Sequence, residues 1–372
     1  MIHVLEVVYR FDYGGIRSFV MNYLTYLDRE KFHVDIYAFG CDSSPFIEQV
    51  RQLGANIYFE PENNVRNIPK FVNQLKTFMK EHGPYDVVHA HNNLISAWVL
   101  LAAKQVGIPI RLSHSHSASH FGESFLQNCY SYTRRFLVDK LATKKLACGQ
   151  LAGEAMYGKH SDFEIISNGI VLDKFLHRDE YKVNELRQRF NIPNTAKIYA
   201  NVTRLDPQKN HLFAIEVFNE IHKLEPNSIF LYGGDIPSLY PTLKAVQQKI
   251  SEYKLEPYCR FTEAVMEVNQ LYHMTDLWIY CSASEGLPFG PIELQAASVP
   301  VIASDVITSE IDLGLGLVQF LSLNDSPRRW AELAVSITKS TLPRTTIAEA
   351  FLLHNFDIKF NVSHLEKIYE GY

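Results

Sequence analysis

Short apolar runs alternate with longer amphipathic stretches in the first half of this chain, and the alternation starts again in the second half. The apolar runs, among them Asp86–His91 and Ile110–Ser115, predict strands, and stretches such as Ser18–Leu27 and Ile68–His82 predict helices. Strand, helix and strand at this spacing form right-handed βαβ units, which build a parallel sheet covered on both faces. The pattern therefore predicts an α/β protein with doubly wound sheets, and it excludes a solenoid.

The length of the chain requires more than one such sheet. At 372 residues it exceeds one ordinary core and fits two α/β domains of roughly 170–190 residues each. A turn signal, SNGIVLD at Ser167–Asp173, separates the two series of strands. We expect domains at 1–172 and 173–355, with a C-terminal helix at about 356–372 joining the first. Ligands are expected in a cleft between them, at the carboxyl ends of the strands.

Composition excludes several other classes of protein. A net charge of −5 argues against a dedicated nucleic-acid binder. The five cysteines lack CxxC spacing and are typical of reduced thiols, not of a disulfide framework or a zinc site. The N-terminus lacks the features of a secretory signal, and no apolar run approaches the ~20 residues needed to span a bilayer. These features predict a cytoplasmic protein.

The most informative motif is CSASEGLPFGPIELQ, which follows a predicted strand ending at Cys281. Pro291 suits the start of a helix, so the loop 285–290 should present backbone N–H groups at a helix N-terminus. Glu285 would lie in this loop and Glu293 on the first helical turn. Two carboxylates there can hold a vicinal diol. Each also has an ordinary explanation, since Glu293 complements a helix dipole and Glu285 suits a solvated loop.

A second motif, NVTRLDPQKNH, places Arg204 and Lys209 after a strand and before a helix. Two cations in such a position can neutralise a diphosphate leaving group without a metal. An isolated pair of this kind is more often two surface charges.

Glycines and histidines end three of the first strands. Gly14 and Gly15, in FDYGGIR, allow the backbone to approach a ligand closely, although the pattern is not the GxGxxG of an NAD site. His89 and His91 close one strand, and His114 and His116 close the next, so that four imidazoles are expected to converge. A four-histidine metal cluster is one interpretation. Polar residues lining a cleft are favoured, because no carboxylate or thiol accompanies the histidines in the sequence.

In this order, the segments GGI, DVVHAH, SNGIVLDKF, TRLDPQKN, YGGD and EGLPFGPIE resemble the retaining GT-B glycosyltransferases of family 4, particularly the bacterial exopolysaccharide and capsule branch. The resemblance covers essentially the whole chain. It implies two facing Rossmann-like domains, the first on the acceptor side and the second binding a nucleotide sugar. It also implies transfer of a hexosyl group, with retention, from a UDP-sugar or a related donor to a glycan or polyprenyl-linked saccharide.

The resemblance also implies roles for individual residues. Glu293 would hold the ribose, Glu285 would contact the donor sugar, and Arg204 and Lys209 would bind the diphosphate. The donor would further contact His116, with His114 as second choice, and a glycine-rich set consisting of Gly14, Gly15, Gly233 and the loop residues Gly286, Leu287, Pro288 and Phe289. No cofactor and no obligatory metal are implied, in agreement with the lack of a DxD motif.

Two departures and three alternatives accompany this interpretation. The chain reads Gly233–Gly234–Asp235 where a GxG or GDG turn is usual, and Glu263 stands where the family commonly has glycine. The alternatives are a sugar-nucleotide epimerase, which would need more acid and base carboxylates, a glycosidase, which would need two free carboxylates, and an inactive partner subunit. An inactive subunit should have lost Arg204, Lys209 or Glu293, and all three are intact.

The segment 128–149 combines aromatic and basic residues. Placed on a helix, its basic and apolar residues are only partly segregated. A helix packed on the first domain is the simpler interpretation. The alternative is a peripheral contact with anionic lipid near a polyprenyl-linked acceptor, through Arg134, Arg135, Lys144 and Lys145.

Overall fold

The structure is a computed structural model that describes residues 1–41, 43–60, 65, 67–118, 125–234, 242–263, 265, 267–339 and 341–372, without the side chains of residues 125–129. The chain forms two compact units. Unit 1 comprises Met1–Ile170 with Asn355–Tyr372, and unit 2 comprises Val171–His354. No helix in these ranges has the length and apolar character that a membrane span requires.

Unit 1 is a parallel seven-stranded sheet with the strand order β3-β2-β1-β4-β5-β6-β7. Its elements up to residue 170 are β1 Ile2–Val8, α1 Gly15–Tyr26, β2 Phe32–Ala38, α2 Ile47–Gln52, β3 Asn56–Phe59, α3 Ile68–His82, β4 Val87–Ala90, α4 Ser96–Gln105, β5 Ile110–Ser115, α5 Phe125–Leu141, β6 Lys144–Ala147, α6 Gln150–Tyr157 and β7 Glu164–Ile165.

Unit 2 is a parallel six-stranded sheet with the order β10-β9-β8-β11-β12-β13. Its elements are α7 Leu172–Leu176, α8 Glu180–Arg189, β8 Lys197–Val202, α9 His211–Leu224, β9 Ser228–Gly233, α10 Thr242–Glu252, β10 Cys259–Phe261, α11 Val268–Met274, β11 Leu277–Tyr280, α12 Phe289–Ala296, β12 Val301–Ser304, β13 Val318–Leu321, α13 Pro327–Ser336 and α14 Arg344–Leu353.

The chain ends on a helix that belongs to unit 1. This helix, α15 (Ile358–Tyr369), follows a bridge between Asp357 and Ile170 and packs against α1. The backbone N–H of Asp28 donates to Glu366 of α15 at 2.9 Å. The last turn of α15 thereby places Tyr369, which is buried, over the unit 1 sheet.

Both sheets are buried on both faces, as parallel sheets require. Strands β4 and β9 are buried along their whole length. In unit 1 the apolar core lies on one face, where Leu5 and Val7 of β1 pack with residues of α3 and α4. The other face of β1 carries Glu6, which is polar and buried. The predicted histidines lie on that face.

Candidate functional site

The strand order of unit 1 reverses between β1 and β4, and ligands of doubly wound folds bind at such a reversal. The chain leaves β1 and enters α1 at Gly15, with Gly14 at the N-cap. A Cβ built on Gly14 would meet no heavy atom of the described protein within 4 Å. The packing of the fold therefore does not require a glycine there, which leaves space for a ligand to approach the backbone.

The two histidine pairs lie together at the ends of β4 and β5, as predicted. Pairing of Glu6 with His89, and of His89 with Leu112, puts the four histidines and Glu6 on one face of the sheet. His89 Nε2 lies 3.1 Å from His114 Nδ1, and His91 Nδ1 lies 2.8 Å from His116 Nε2.

The expectation that no carboxylate accompanies these histidines is wrong. Glu6 Oε2 accepts a hydrogen bond from His91 Nε2 at 2.5 Å, and Glu6 Oε1 accepts one from the Tyr369 hydroxyl at 2.6 Å. Both partners of the histidines come from distant parts of the chain, β1 and α15, so no local sequence motif reports them.

Burial determines the charges in this cluster. Desolvation, with repulsion from His89, lowers the pKa of His91 to about 4, and desolvation lowers the pKa of His114 and His116 well below its ordinary value. Burial alone would raise the pKa of Glu6, but attraction and hydrogen bonds from His89 and His91 outweigh it and hold that pKa below its usual range. Near neutral pH, Glu6 is therefore ionised and His91, His114 and His116 are neutral.

The cluster has the spacing of a possible metal site, since His89, His91 and His114 bring ring nitrogens within 4.8 Å of one another. Both ring nitrogens of His89 and of His91 are hydrogen-bonded within the cluster. A metal ion would have to replace these bonds. The donors present fit a hydrogen-bonded network better than a metal centre.

In unit 2 the strand order reverses between β8 and β11, and the predicted cations and one predicted carboxylate lie at the ends of these strands. Lys209 Nζ donates to Glu285 Oε1, and the side chains are only 13% and 11% exposed. Tyr280, the last residue of β11, donates its hydroxyl to the same oxygen at 3.1 Å. The Arg204 guanidinium is exposed and makes no ion pair with any described residue.

Backbone contacts bring the two loops of unit 2 together. The N–H of Ala283 donates to the carbonyl of Gln208 at 2.8 Å, and the Gln208 side chain donates to the carbonyl of Ser284. Buried His211, at the start of α9, contacts the hydroxyl of Thr203 and the carbonyl of Arg204. These bonds hold the segment from Arg204 to Lys209 against the loop that carries Glu285.

Glu293 lies further along α12 than the sequence predicted. Helix α12 begins at Phe289 with Pro288 as its N-cap, so Glu293 follows the first turn. The start at Phe289 is compatible with Pro291 because the first N–H groups of a helix have no partner within it. The Tyr272 hydroxyl donates to Glu293 Oε2 at 2.9 Å. The preceding residues Gly286, Leu287, Pro288 and Phe289 are buried.

The predicted glycine turn after β9 has a steric explanation. Gly233 has a φ of +102°, and a Cβ there would lie 2.3 Å from the Phe261 ring, so no other residue fits. Asp235 of the same turn lies outside the described residues. Glu263, at the position where the family resemblance implies glycine, adopts a φ of +45°. This conformation is the left-handed one that glycine favours, so a glycine would suit this position better than Glu263 does.

The predicted site residues thus form two groups. Unit 1 holds Gly14, Gly15, His114 and His116, while unit 2 holds Arg204, Lys209, Gly233, Glu285, the loop residues 286–289 and Glu293. Tyr272 and Tyr280 hold the two carboxylates of unit 2 and were missed from sequence. Tyr280 could have been predicted, because it ends a strand and stands five residues before Glu285.

Comparison with known proteins identifies the family of this chain. Residues 13–174 match the family model described as Glycosyltransferase Family 4, and residues 182–312 match the one described as Glycosyl transferases group 1. Together the two matches cover more than three quarters of the chain. It belongs to the GT-B glycosyltransferases of family 4.

Individual relatives agree with this assignment. EpsF of Bacillus subtilis (strain 168), named as a glycosyltransferase, is 29% identical over 373 residues, which are 98% of this chain and 96% of the relative. The UDP-Gal:alpha-D-GlcNAc-diphosphoundecaprenol alpha-1,3-galactosyltransferase of Escherichia coli is 21% identical over 79% of this chain and 76% of its own.

Solved structures confirm the predicted fold. Anabaena HepE, solved in complex with UDP-glucose, superimposes with a TM-score of 0.82 at 16% identity over all of both chains. With two parallel α/β sheets in one chain, the fold class is the GT-B arrangement of two Rossmann-like domains, as expected.

Proposed function

We propose that this glycosyltransferase moves a hexosyl group, with retention and without an obligatory metal, from a UDP-sugar to a glycan or polyprenyl-linked saccharide during surface polysaccharide synthesis. The chain's membership of the family supports the transfer itself. UDP-Gal in the name of the Escherichia coli enzyme and the UDP-glucose bound to HepE support UDP. The diphosphoundecaprenol in the name of the Escherichia coli enzyme supports a lipid-linked acceptor.

The observation that carries the proposal is the group of polar side chains at the β8–β11 reversal. Arg204 and Lys209 supply two positive charges beside Glu285, whose charge is offset by Lys209 and by the Tyr280 hydroxyl. Glu285 and the Tyr280 hydroxyl engage two ammonium N–H groups of Lys209, so the third is available to an anion. This arrangement suits a pyrophosphate that gains negative charge as its bond to the sugar breaks.

The proposed chemistry follows from these charges. The bond between the anomeric carbon and the diphosphate oxygen breaks, and the electron pair leaves with the nucleoside diphosphate, stabilised by Arg204 and Lys209. The acceptor hydroxyl then bonds to the anomeric carbon on the same face, and its proton passes to the departing phosphate. Catalysis is mainly positioning and stabilisation of the leaving group, because both glutamates are assigned to hydroxyl groups of the donor.

A donor panel tests this function. Purified protein is incubated with UDP- and GDP-sugars and a short polyprenyl-diphosphate saccharide, and release of nucleotide and the anomeric configuration of the product are followed by NMR. We expect one UDP-hexose to be consumed, with an α-linked product from an α-donor, and equal rates with and without EDTA. A β-linked product would contradict retention, and loss of activity in EDTA that Mn²⁺ restores would contradict metal independence.

Two alternatives give other results in the same assay. An epimerase would change the configuration of the free sugar nucleotide without any acceptor. An inactive partner subunit would bind the nucleotide sugar without turnover, although it retains Arg204, Lys209 and Glu293.

We further propose that the enzyme is cytoplasmic and contacts anionic membranes through α5. The structure corrects the patch predicted within 128–149, because Lys144 and Lys145 lie on β6 and pair with Glu164 and Asp139. On α5, Tyr132 and Phe136 are 69% and 61% exposed, and Arg134 stacks on Tyr130. The exposed aromatic residues and Lys140 replace the two strand lysines in the proposed contact.

A further inference from the structure

Two chains of hydrogen bonds start from the buried carboxylate of Glu6 and end on the two histidines assigned to the donor. The first runs from Glu6 Oε1 to the Tyr369 hydroxyl at 2.6 Å, from this hydroxyl to His89 Nδ1 at 2.8 Å, and from His89 Nε2 to His114 Nδ1 at 3.1 Å. The second runs from Glu6 Oε2 to His91 Nε2 at 2.5 Å and from His91 Nδ1 to His116 Nε2 at 2.8 Å.

An aromatic ring covers these chains, and few other titratable groups face them. Phe19 of α1 lies against all four imidazole rings, with its centroid 4.8 Å from that of His114 and 5.2 Å from that of His116. The titratable groups that face the network are its own members, from β1, β4, β5 and α15, and Tyr23 of α1, whose hydroxyl donates to the carbonyl of Ser167. Glu6 is the one carboxylate among them in the described part of unit 1.

With one proton assigned to each imidazole, the direction of every bond follows. An ionised Glu6 only accepts, so Tyr369 and His91 donate to it. The Tyr369 oxygen must then accept from His89 Nδ1–H, and with one proton on each ring His89 Nε2 accepts from His114 Nδ1–H. By the same count, His91 Nδ1 accepts from His116 Nε2–H. A lone pair is left at the end of each chain, on His114 Nε2 and on His116 Nδ1.

The structure agrees with a free end at His114 Nε2. His114 Nε2 is fully buried and has no hydrogen-bond partner in the described protein. A buried acceptor without a donor costs free energy that a ligand hydroxyl can recover. His116, half-buried directly after β5, stacks on His114 with ring centroids 4.1 Å apart. The two lone pairs therefore belong to one small patch.

We propose that Glu6 and Tyr369 are positioning residues that fix the tautomers of His114 and His116, so that both present a hydrogen-bond acceptor to hydroxyl groups of the bound sugar. This inference rests on the proposed function, since it takes the sugar of the donor as the ligand. It adds two residues to the site, one from the first strand and one from the last helix, that do not touch the substrate.

Nitrogen-15 NMR of histidine-labelled protein tests the tautomers without any turnover. Spectra at pH 7.5, assigned by single His→Asn variants, should show His114 protonated on Nδ1 and His116 protonated on Nε2. The opposite tautomer of either ring, or an imidazolium, would overturn the proposal. If the tautomers are as expected but no UDP-sugar is consumed, the proposed function fails while the network stands.

Two isosteric variants test the link to the reaction. In Glu6→Gln the amide must donate one bond, which reverses one chain and turns its terminal lone pair into an N–H. In Tyr369→Phe only the chain to His114 is cut. We expect kcat/KM for the donor to fall about 10- to 100-fold in each, as for a buried hydrogen-bonding group left without its partner, while the affinity for free UDP stays unchanged.

The control is Tyr23→Phe, which removes a buried tyrosine hydroxyl from the same face without touching a histidine. It should keep both tautomers and near-wild-type kcat/KM. Thermal unfolding followed by circular dichroism identifies variants that fail to fold. If Glu6→Gln fails to fold, the nitrogen-15 spectra of the wild-type protein still test the tautomers. Wild-type tautomers and wild-type kinetics in folded Glu6→Gln would show that Glu6 has no positioning role.

Discussion

Lys209 is held by two groups, the Tyr280 hydroxyl at the end of β11 and the Glu285 carboxylate in the loop that follows. The ion pair is largely buried, so Lys209 contributes to the local structure besides being the proposed partner of the diphosphate. Arg204 is exposed and makes no ion pair in the described chain. The two cations assigned the same chemical role therefore differ in their structural role.

This difference gives a prediction for Arg204→Ala and Lys209→Ala. Each should lower kcat by ~10²–10³, the usual effect of removing one preorganised charge-stabilising donor. Only Lys209→Ala should also lower the free energy of unfolding, by about 1–3 kcal/mol, because Glu285 loses its charged partner. Steady-state kinetics and urea denaturation measure the two effects. Lys223→Ala, which removes an exposed lysine paired with Glu220, is the matched control. Near-wild-type kcat in both site variants would contradict the mechanism.

The two glutamates should also differ in the quantity that each substitution changes. Glu293→Ala is expected to weaken UDP binding by ~1.5–3 kcal/mol, the value of lost charged hydrogen bonds, with a smaller loss in Tyr272→Phe. Glu285→Ala should mainly lower kcat, because its proposed partner is the transferred sugar. Calorimetric titration of UDP checks this, with Glu332→Ala, an exposed glutamate, as control. If Glu285→Ala loses UDP affinity and Glu293→Ala keeps it, the roles are reversed.

The sequence motifs contain the histidines that follow strands. They do not contain the residues that hydrogen-bond to these histidines. The convergence of His89, His91, His114 and His116 could be predicted because residues two apart share a face and neighbouring parallel strands end together. Glu6 and Tyr369 could not, because they contact the histidines only after the first strand and the last helix are folded onto one sheet. Tertiary contacts of this kind have no signature in the local sequence.

At the level of elements, most helices and strands were predicted closely, and two short edge strands were not. The helix predicted at Ile68–His82 has these bounds in the structure. The edge strands β7 and β13 were missed, because two to four residues with exposed positions give no clear period. The start of α12 was placed too late because Pro291 was taken as its first residue. A proline is tolerated anywhere among the N–H groups that lack helical partners.

Helix α5 carries a prediction about the membrane. We expect liposomes that contain anionic lipid to sediment the protein, with binding that weakens as salt rises. The triple variant Tyr132→Ser, Phe136→Ser and Lys140→Gln should lose most of this binding, since it removes exposed aromatic area and one charge from one helix. The matched control is Tyr181→Ser with Lys182→Gln on α8, where Tyr181 is 79% exposed. Equal sedimentation of the variant and the control would show that α5 is an ordinary surface helix.

At the level of the whole molecule, the buried network makes stability depend on pH. His91, His114 and His116 have folded-state pKa values below the ordinary 6.5, so below about pH 6.5 the unfolded chain binds protons that the folded chain does not. The folded-state pKa of Glu6 is also lowered, so its contribution to stability is lost as the pH falls through the acidic range. Both effects have the same sign, and acidification destabilises the protein.

We therefore expect the free energy of unfolding to fall steadily between pH 7 and pH 4.5. For His91 alone, a pKa lowered from 6.5 to about 4 corresponds to about 2 kcal/mol lost over that window. The test compares urea denaturation of wild type, His116→Asn and His160→Asn at several pH values. His116→Asn removes one histidine that stays neutral in the fold, so its slope should be shallower by up to about 1.4 kcal/mol per pH unit. His160 is an exposed histidine of the same unit, and the same substitution there should leave the wild-type slope. Equal slopes in all three proteins would mean that folding does not lower the pKa values of these histidines. Their packing beneath Phe19 predicts the opposite.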